Sequence, residues 1–205
     1  MFDRARRAAA VLLLAACWPL SAAAQQAAGE RVGELNSTLL EVMRDAEALG
    51  FEGRYERLAP VLERLFAFPA MARVAAGGHW RGLSAEDRGR LVDSFARFSI
   101  ATFASRFDGY SGERFEVSGE RPAARGAVLV ENAIIQSSGE RVGIDYLLRP
   151  VDGEWRIFDI YLDSRYSELA TRRSEYVSIL DGEGFEGLMR TLEDKIAELS
   201  RGSGA

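Results

Sequence analysis

Apolar residues recur at intervals of three and four through the first half of the chain. Val32, Leu35, Leu39, Val42, Met43, Ala46 and Leu49 form one such stripe, and Gly50 ends it. Leu58, Val61, Leu62, Leu65 and Phe66 form a second, with Pro60 expected in its first turn, where a missing N–H costs little. Pro69 opens a short helix through Met71 and Val74, which Gly77-Gly78 closes. Ser84-Ala85-Glu86-Asp87 has the form of a capping box and starts a long helix carrying Leu91, Val92, Phe95, Phe98, Phe103 and Phe107. These side chains cover about half the helix cylinder, wider than the usual stripe, so that helix must meet more than one neighbour, or a neighbour and a ligand.

The period then shifts toward two. Residues 114–121, 127–136, 141–149 and 154–163 read as four strands, separated by Ser137-Ser138-Gly139, Asp152-Gly153 and similar punctuation. Short connections predict an antiparallel meander. The last strand is apolar on both faces, with Trp155, Ile157 and Tyr161 on one and Phe158, Ile160 and Leu162 on the other. Two helices follow, over 167–180 and 185–199. The order of helices, strands and helices defines an α+β class: N-terminal helices, a four-stranded antiparallel sheet and two C-terminal helices, with an apolar cavity between sheet and helices.

Residues 1–24 stand apart from this pattern. Arg4, Arg6 and Arg7 precede an apolar run from Ala8 to Leu20, too short to span a bilayer, and Ser21-Ala22-Ala23-Ala24 supplies the small residues of a cleavage site. This reads as a secretory signal, leaving residues 25–205 as a single domain. A competing reading takes Leu14-Ala15-Ala16-Cys17 as a lipobox and the protein as a structural lipoprotein acylated at Cys17. Removing the leader takes away three arginines and one aspartate, and moves the net charge from −5 to −7. No basic field then draws the chain to nucleic acid. The composition, 47% apolar and 28% charged, excludes a disordered tail and a polytopic membrane protein.

Little catalytic chemistry survives inspection. Cys17 is the only cysteine and His79 the only histidine, so no disulfide framework and no Cys/His zinc site can be built. His79 has no G-x-S-x-G elbow to serve, which leaves it a packing or surface role. Gly182-Glu183-Gly184-Phe185-Glu186-Gly187 matches G-x-G-x-x-G, but a helix precedes it where a dinucleotide site needs a strand, so it reads as a turn between helices. Asp145 and Asp159 lie among apolar strand residues. There a carboxylate either pairs with one of the many arginines or, with a raised pKa, acts as the base of a cone-shaped α+β enzyme of the ketosteroid-isomerase kind. The aromatic supply remains, and it suits a small-molecule cavity. Phe95, Phe98, Phe103, Tyr146, Leu148, Trp155, Ile157, Leu169, Tyr176 and Leu180 are the candidate wall, because they sit on faces richer in apolar area than one packing partner covers.

Leu58-Ala59-Pro60, Phe66-Ala67-Phe68-Pro69-Ala70-Met71-Ala72-Arg73, Gly78-His79-Trp80-Arg81, Trp155-Arg156-Ile157-Phe158-Asp159, and Ser167-Glu168-Leu169 with Arg173 and Tyr176 carry a further signal. In these segments the chain resembles the MlaC-like (toluene-tolerance auxiliary) periplasmic phospholipid-binding proteins. Residues 107–113 and 167–176 look closer still to the hopanoid-associated HpnM branch. Arg165 and Arg172 depart from the wider family, which has Gly and Tyr there. The resemblance implies a soluble periplasmic lipid carrier with no cofactor and no stable membrane insertion. It would move phospholipid or hopanoid between an outer-membrane lipoprotein–porin complex and an inner-membrane ABC transporter.

Overall fold

The computed structural model describes residues 20–202, with side chains from Ala28 onward. The leader through Pro19, Cys17 included, lies outside the described residues, as do residues 203–205. Helices α1 (Leu20–Arg44), α2 (Ala46–Leu65), α3 (Phe68–Ala75) and α4 (Ala85–Arg106) precede the sheet, with a 3-10 turn at Gly77–Arg81 between α3 and α4. Strands β1 (Arg114–Pro122), β2 (Val128–Ile135), β3 (Arg141–Val151), β4 (Glu154–Leu162) and β5 (Tyr166–Ser167) pair antiparallel in sequence order. Helix α5 (Glu168–Gly202) closes the chain. No described helix is long and apolar enough to cross a membrane.

The expected α+β order stands, with three differences. The expected first run already divides at Asp45, between α1 and α2, and Gly50, at φ 58 and ψ −173, interrupts α2 before the helix resumes at once. Pro60 therefore sits inside α2 and not in a first turn. Leu58, Leu62 and Leu65, all fully buried, hold the helix against the core on both sides of the proline, and their burial outweighs the lost N–H bond. The sheet gains a fifth strand of two residues, after a turn in which Asp163 and Ser164 adopt φ of 49° and 56°. Two residues are too few to carry a period. The two expected C-terminal helices form one run, broken at Gly184 with φ 71 and ψ −170. That break is the turn read from the glycine-rich segment.

The core lies between helices and sheet. Leu35, Leu39, Leu58, Leu62, Phe66, Phe95, Tyr146, Leu148 and Ile157 are buried in one cluster. Ring contacts thread it: Phe66 meets Phe68 at 5.4 Å and Phe103 at 5.7 Å, and Phe95 meets Tyr176 edge-on at 6.1 Å. The α2–α3 corner is tied to the sheet by Ala67 N donating to Ile157 O at 2.9 Å. Ser84 caps α4 as its capping box predicts, accepting from Asp87 N at 3.0 Å. The helix α1 is keyed to the sheet by a buried amide pair, Asn36 Nδ2 donating to Asn132 Oδ1 at 2.8 Å.

Candidate functional site

Residues 99, 102, 103 and 106 follow one another at helical spacing along α4 and face a cavity of about 90 Å³. Ile144 and Tyr146 of β3 and Asp159, Ile160 and Leu162 of β4 form the opposite wall. Glu168, Leu169 and Arg172, in the first turns of α5, close one side, and Phe66, Met71 and Phe107 complete the lining. The α4 hydroxyls are turned back on their own helix: Ser99 Oγ donates to Phe95 O and Thr102 Oγ1 to Phe98 O, both at 2.8 Å. They add no free polarity to an apolar wall. The charged groups in the lining are two carboxylates, Asp159 and Glu168, and two arginines, Arg106 and Arg172. Arg106 is exposed, and the Arg172 guanidinium lies over the Phe98 ring at 4.5 Å and the Phe95 ring at 5.5 Å.

Three of the ten residues expected on the wall are there: Phe103, Tyr146 and Leu169. Phe95, Leu148, Ile157, Tyr176 and Leu180 are buried in packed core away from the lining. Phe98 is half-buried beneath Arg172 and Lys195, and Trp155 is half-buried on β4 opposite Pro150. The broad face of α4 is the reason. It packs against α2, α3 and α5 as well as bordering the cavity, so most of its apolar area meets protein. Reasoning from apolar area passed over Thr102, Arg106, Arg172, Ile144, Ile160 and Leu162. The helical series through Phe103 and the alternation through Tyr146 would have found most of them.

Among the described residues neither strand aspartate forms an ion pair with an arginine, so the first of the two readings is not met. Asp145 lies off the cavity wall. The β2–β3 ladder opens beside it, and its Oδ1 accepts from the freed Asn132 N at 3.1 Å while Oδ2 accepts from Ser164 Oγ at 2.6 Å. Asp159 is on the wall, but its oxygens are engaged: Oδ1 accepts from Ile160 N at 2.8 Å and Leu169 N at 3.0 Å, and Oδ2 from Ser167 Oγ at 2.7 Å. Burial pushes the Asp159 carboxyl up, against these hydrogen bonds and the charge of Arg149. Ser167 in turn accepts from Ala170 N at 2.9 Å, so the pair caps α5 and fixes it to β4. A base must be free to take a proton from substrate, and these oxygens are held by donors of the protein itself. Burial also raises the phenols of Tyr146 and Tyr176, the latter to about 12. His79 has the surface role expected of it, with Nε2 2.9 Å from Asp181 Oδ1.

An apolar cavity walled by a meander and two helices, with arginines at its edge, defines a binding protein of the α+β class. The family can be stated. The chain belongs to the MlaC family, whose model, described as MlaC protein, matches residues 34–194. A solved phospholipid-binding protein from Ralstonia solanacearum, in complex with a phospholipid, has the same fold: TM-score 0.73 at 19% identity, over 86% of this chain and 98% of that one. No curated protein matches the chain. Family membership points to binding and transport rather than catalysis.

Proposed function

We propose that this protein is a periplasmic phospholipid carrier. The supporting observation is the apolar cavity between α4, α5 and the sheet, rimmed by Arg106 and Arg172, in a member of the MlaC family. Each methylene left in water costs about 0.8 kcal/mol, so two bare acyl chains cost on the order of 20 kcal/mol. A carrier must cover the tails and leave the headgroup wet. A cavity of about 90 Å³ is smaller than the ~150 Å³ that holds a benzene ring. Tails therefore enter by parting α4 and the first half of α5 from the sheet, widening the cavity toward Phe95, Leu148 and Tyr176. The guanidinium groups of Arg106 and Arg172 suit the phosphate that remains at the rim.

In this reading the leader sends the chain across the inner membrane. The carrier then exchanges lipid with an inner-membrane ABC transporter and an outer-membrane lipoprotein–porin complex. Lipid extraction and native mass spectrometry of protein purified from the periplasm test the reading. A co-purifying phospholipid is the expected result. A hopanoid would correct the cargo and place the chain in the HpnM branch. No lipid, under conditions where the Ralstonia protein retains its own, overturns the proposal. The mass of the mature N-terminus, expected at Gln25, decides between a free carrier and one acylated at Cys17.

A further inference from the structure

Three arginines, Arg73, Arg81 and Arg173, surround a groove of about 170 Å³ between α3, the 3-10 turn and α5. Each is exposed, and among the described residues none of their side chains has a hydrogen bond or a carboxylate partner. Arg31, Arg64, Arg90, Arg114, Arg121 and Arg141 each reach a glutamate, and other exposed arginines such as Arg57 and Arg190 stand apart from one another; what sets this groove apart is that three arginines without such partners converge on one concave place. No aspartate or glutamate lines this groove, although the protein is acidic overall; Asp181 lines the adjoining depression and is engaged by His79.

The groove is also built. Trp80 lies in it half-buried, with the Arg88 guanidinium 5.6 Å from its ring centre. Arg88 further donates to Trp80 O and Arg81 O, both at 3.1 Å, which fixes the turn that carries Arg81. Gly77 has φ 57, and a Cβ there would stand 2.9 Å from Val177 Cγ2 and 3.6 Å from Arg173 Nε. Bare backbone at this position is what lets Val177, and with it the α5 segment that carries Arg173, lie close against the turn.

We propose that this groove docks an acidic segment of a protein partner, whose carboxylates pair with Arg73, Arg81 and Arg173. Charge complementarity selects the occupant. Concavity favours a protein over a bilayer, because single carboxylate side chains can enter a groove while a plane of headgroups cannot, and Trp80 does not protrude to insert among lipids. The position gives docking a consequence. Arg173 follows Arg172 on α5, so the groove lies behind the helix segment whose Leu169 and Arg172 wall the lipid cavity. That link to lipid exchange rests on the carrier reading; the docking surface itself does not.

Fluorescence anisotropy of a labelled deca-glutamate peptide at low salt tests the surface, alongside co-sedimentation with phosphatidylglycerol vesicles. The peptide should bind the full mature protein and release as salt rises. The double variant Arg73→Glu/Arg173→Glu should bind at least tenfold more weakly. Arg57→Glu/Arg190→Glu, which makes the same charge change on exposed arginines outside the groove, should bind within twofold of wild type. Equal loss in both variants would mean that net charge alone is sensed, and would overturn the proposal. So would vesicle binding that depends on Arg73 and Arg173. Lipid content of the same preparations is read separately. A wild type that binds peptide but never carries lipid counts against the carrier reading and leaves the docking surface standing.

Discussion

Tyr146→Phe should make the delipidated protein more stable. Tyr146 is fully buried on β3, and its hydroxyl has no hydrogen-bond partner among the described residues. Burial alone pushes its phenol up. Phenylalanine keeps the ring and its packing and removes one oxygen. A buried hydroxyl left unpaired costs about 1–3 kcal/mol of desolvation, whereas the contacts of one lost oxygen amount to less than about 1 kcal/mol. The difference favours the variant by about 1 kcal/mol. For a domain of this size that raises Tm by about 2–4 °C. Urea unfolding of delipidated wild type and variant, with equal m-values, measures it directly. A variant less stable by 1 kcal/mol or more would refute the reasoning, since it would mean that the hydroxyl has a partner, such as a water held in the neighbouring cavity.

Asp159→Ala removes the acceptor for Leu169 N, Ile160 N and Ser167 Oγ, and should destabilise by at least about 1–3 kcal/mol by chemical denaturation, the cost of stranding the buried Leu169 N alone, with the two part-buried donors adding to it. Raised phenols make stability fall at alkaline pH: with Tyr146 and Tyr176 both shifted up, stability is intact below the unfolded value near 10 and is lost as pH climbs toward about 12. A urea midpoint measured at intervals from pH 9 to 12 should show the fall, and Tyr146→Phe should make it shallower. Gly184→Ala should destabilise by about 1–3 kcal/mol, because φ 71 with ψ −170 is a region essentially confined to glycine; an unchanged Tm would show that α5 can straighten at no cost.

What could be read from the sequence depended on how regular each signal was. The four long strands were legible because turn residues bracket alternating runs, and their observed ends lie within two residues of the expected ones. Ser84 announced α4 through a local hydrogen bond that needs no tertiary context. Pro60 misled, because the penalty for an internal proline is local while the burial of Leu58, Leu62 and Leu65 that overrides it is tertiary. The cavity wall was the least legible part. An apolar side chain facing a cavity and one facing a neighbour present the same pattern, so Phe95 and Phe103 look alike in sequence although only Phe103 borders the space. Asp159 was noticed for its apolar neighbours. Its partners Ser167 and Leu169 sit across a hairpin that sequence spacing does not reveal.

The Asn36–Asn132 bond has a consequence for how α1 finds its place. Most of what holds α1 is a stripe of Val32, Leu35, Leu39 and Val42, and aliphatic side chains of similar size accept more than one alignment. One turn of sliding would keep much of that burial. It would also separate two amides that are nearly sealed from water, each then facing hydrocarbon. The pair therefore works as a key with a single fitting position, setting the helix along its axis where grease alone leaves it free to slip. Leucine at both positions would retain burial and erase that address, giving a chain that folds firmly yet without one fixed alignment of its first helix.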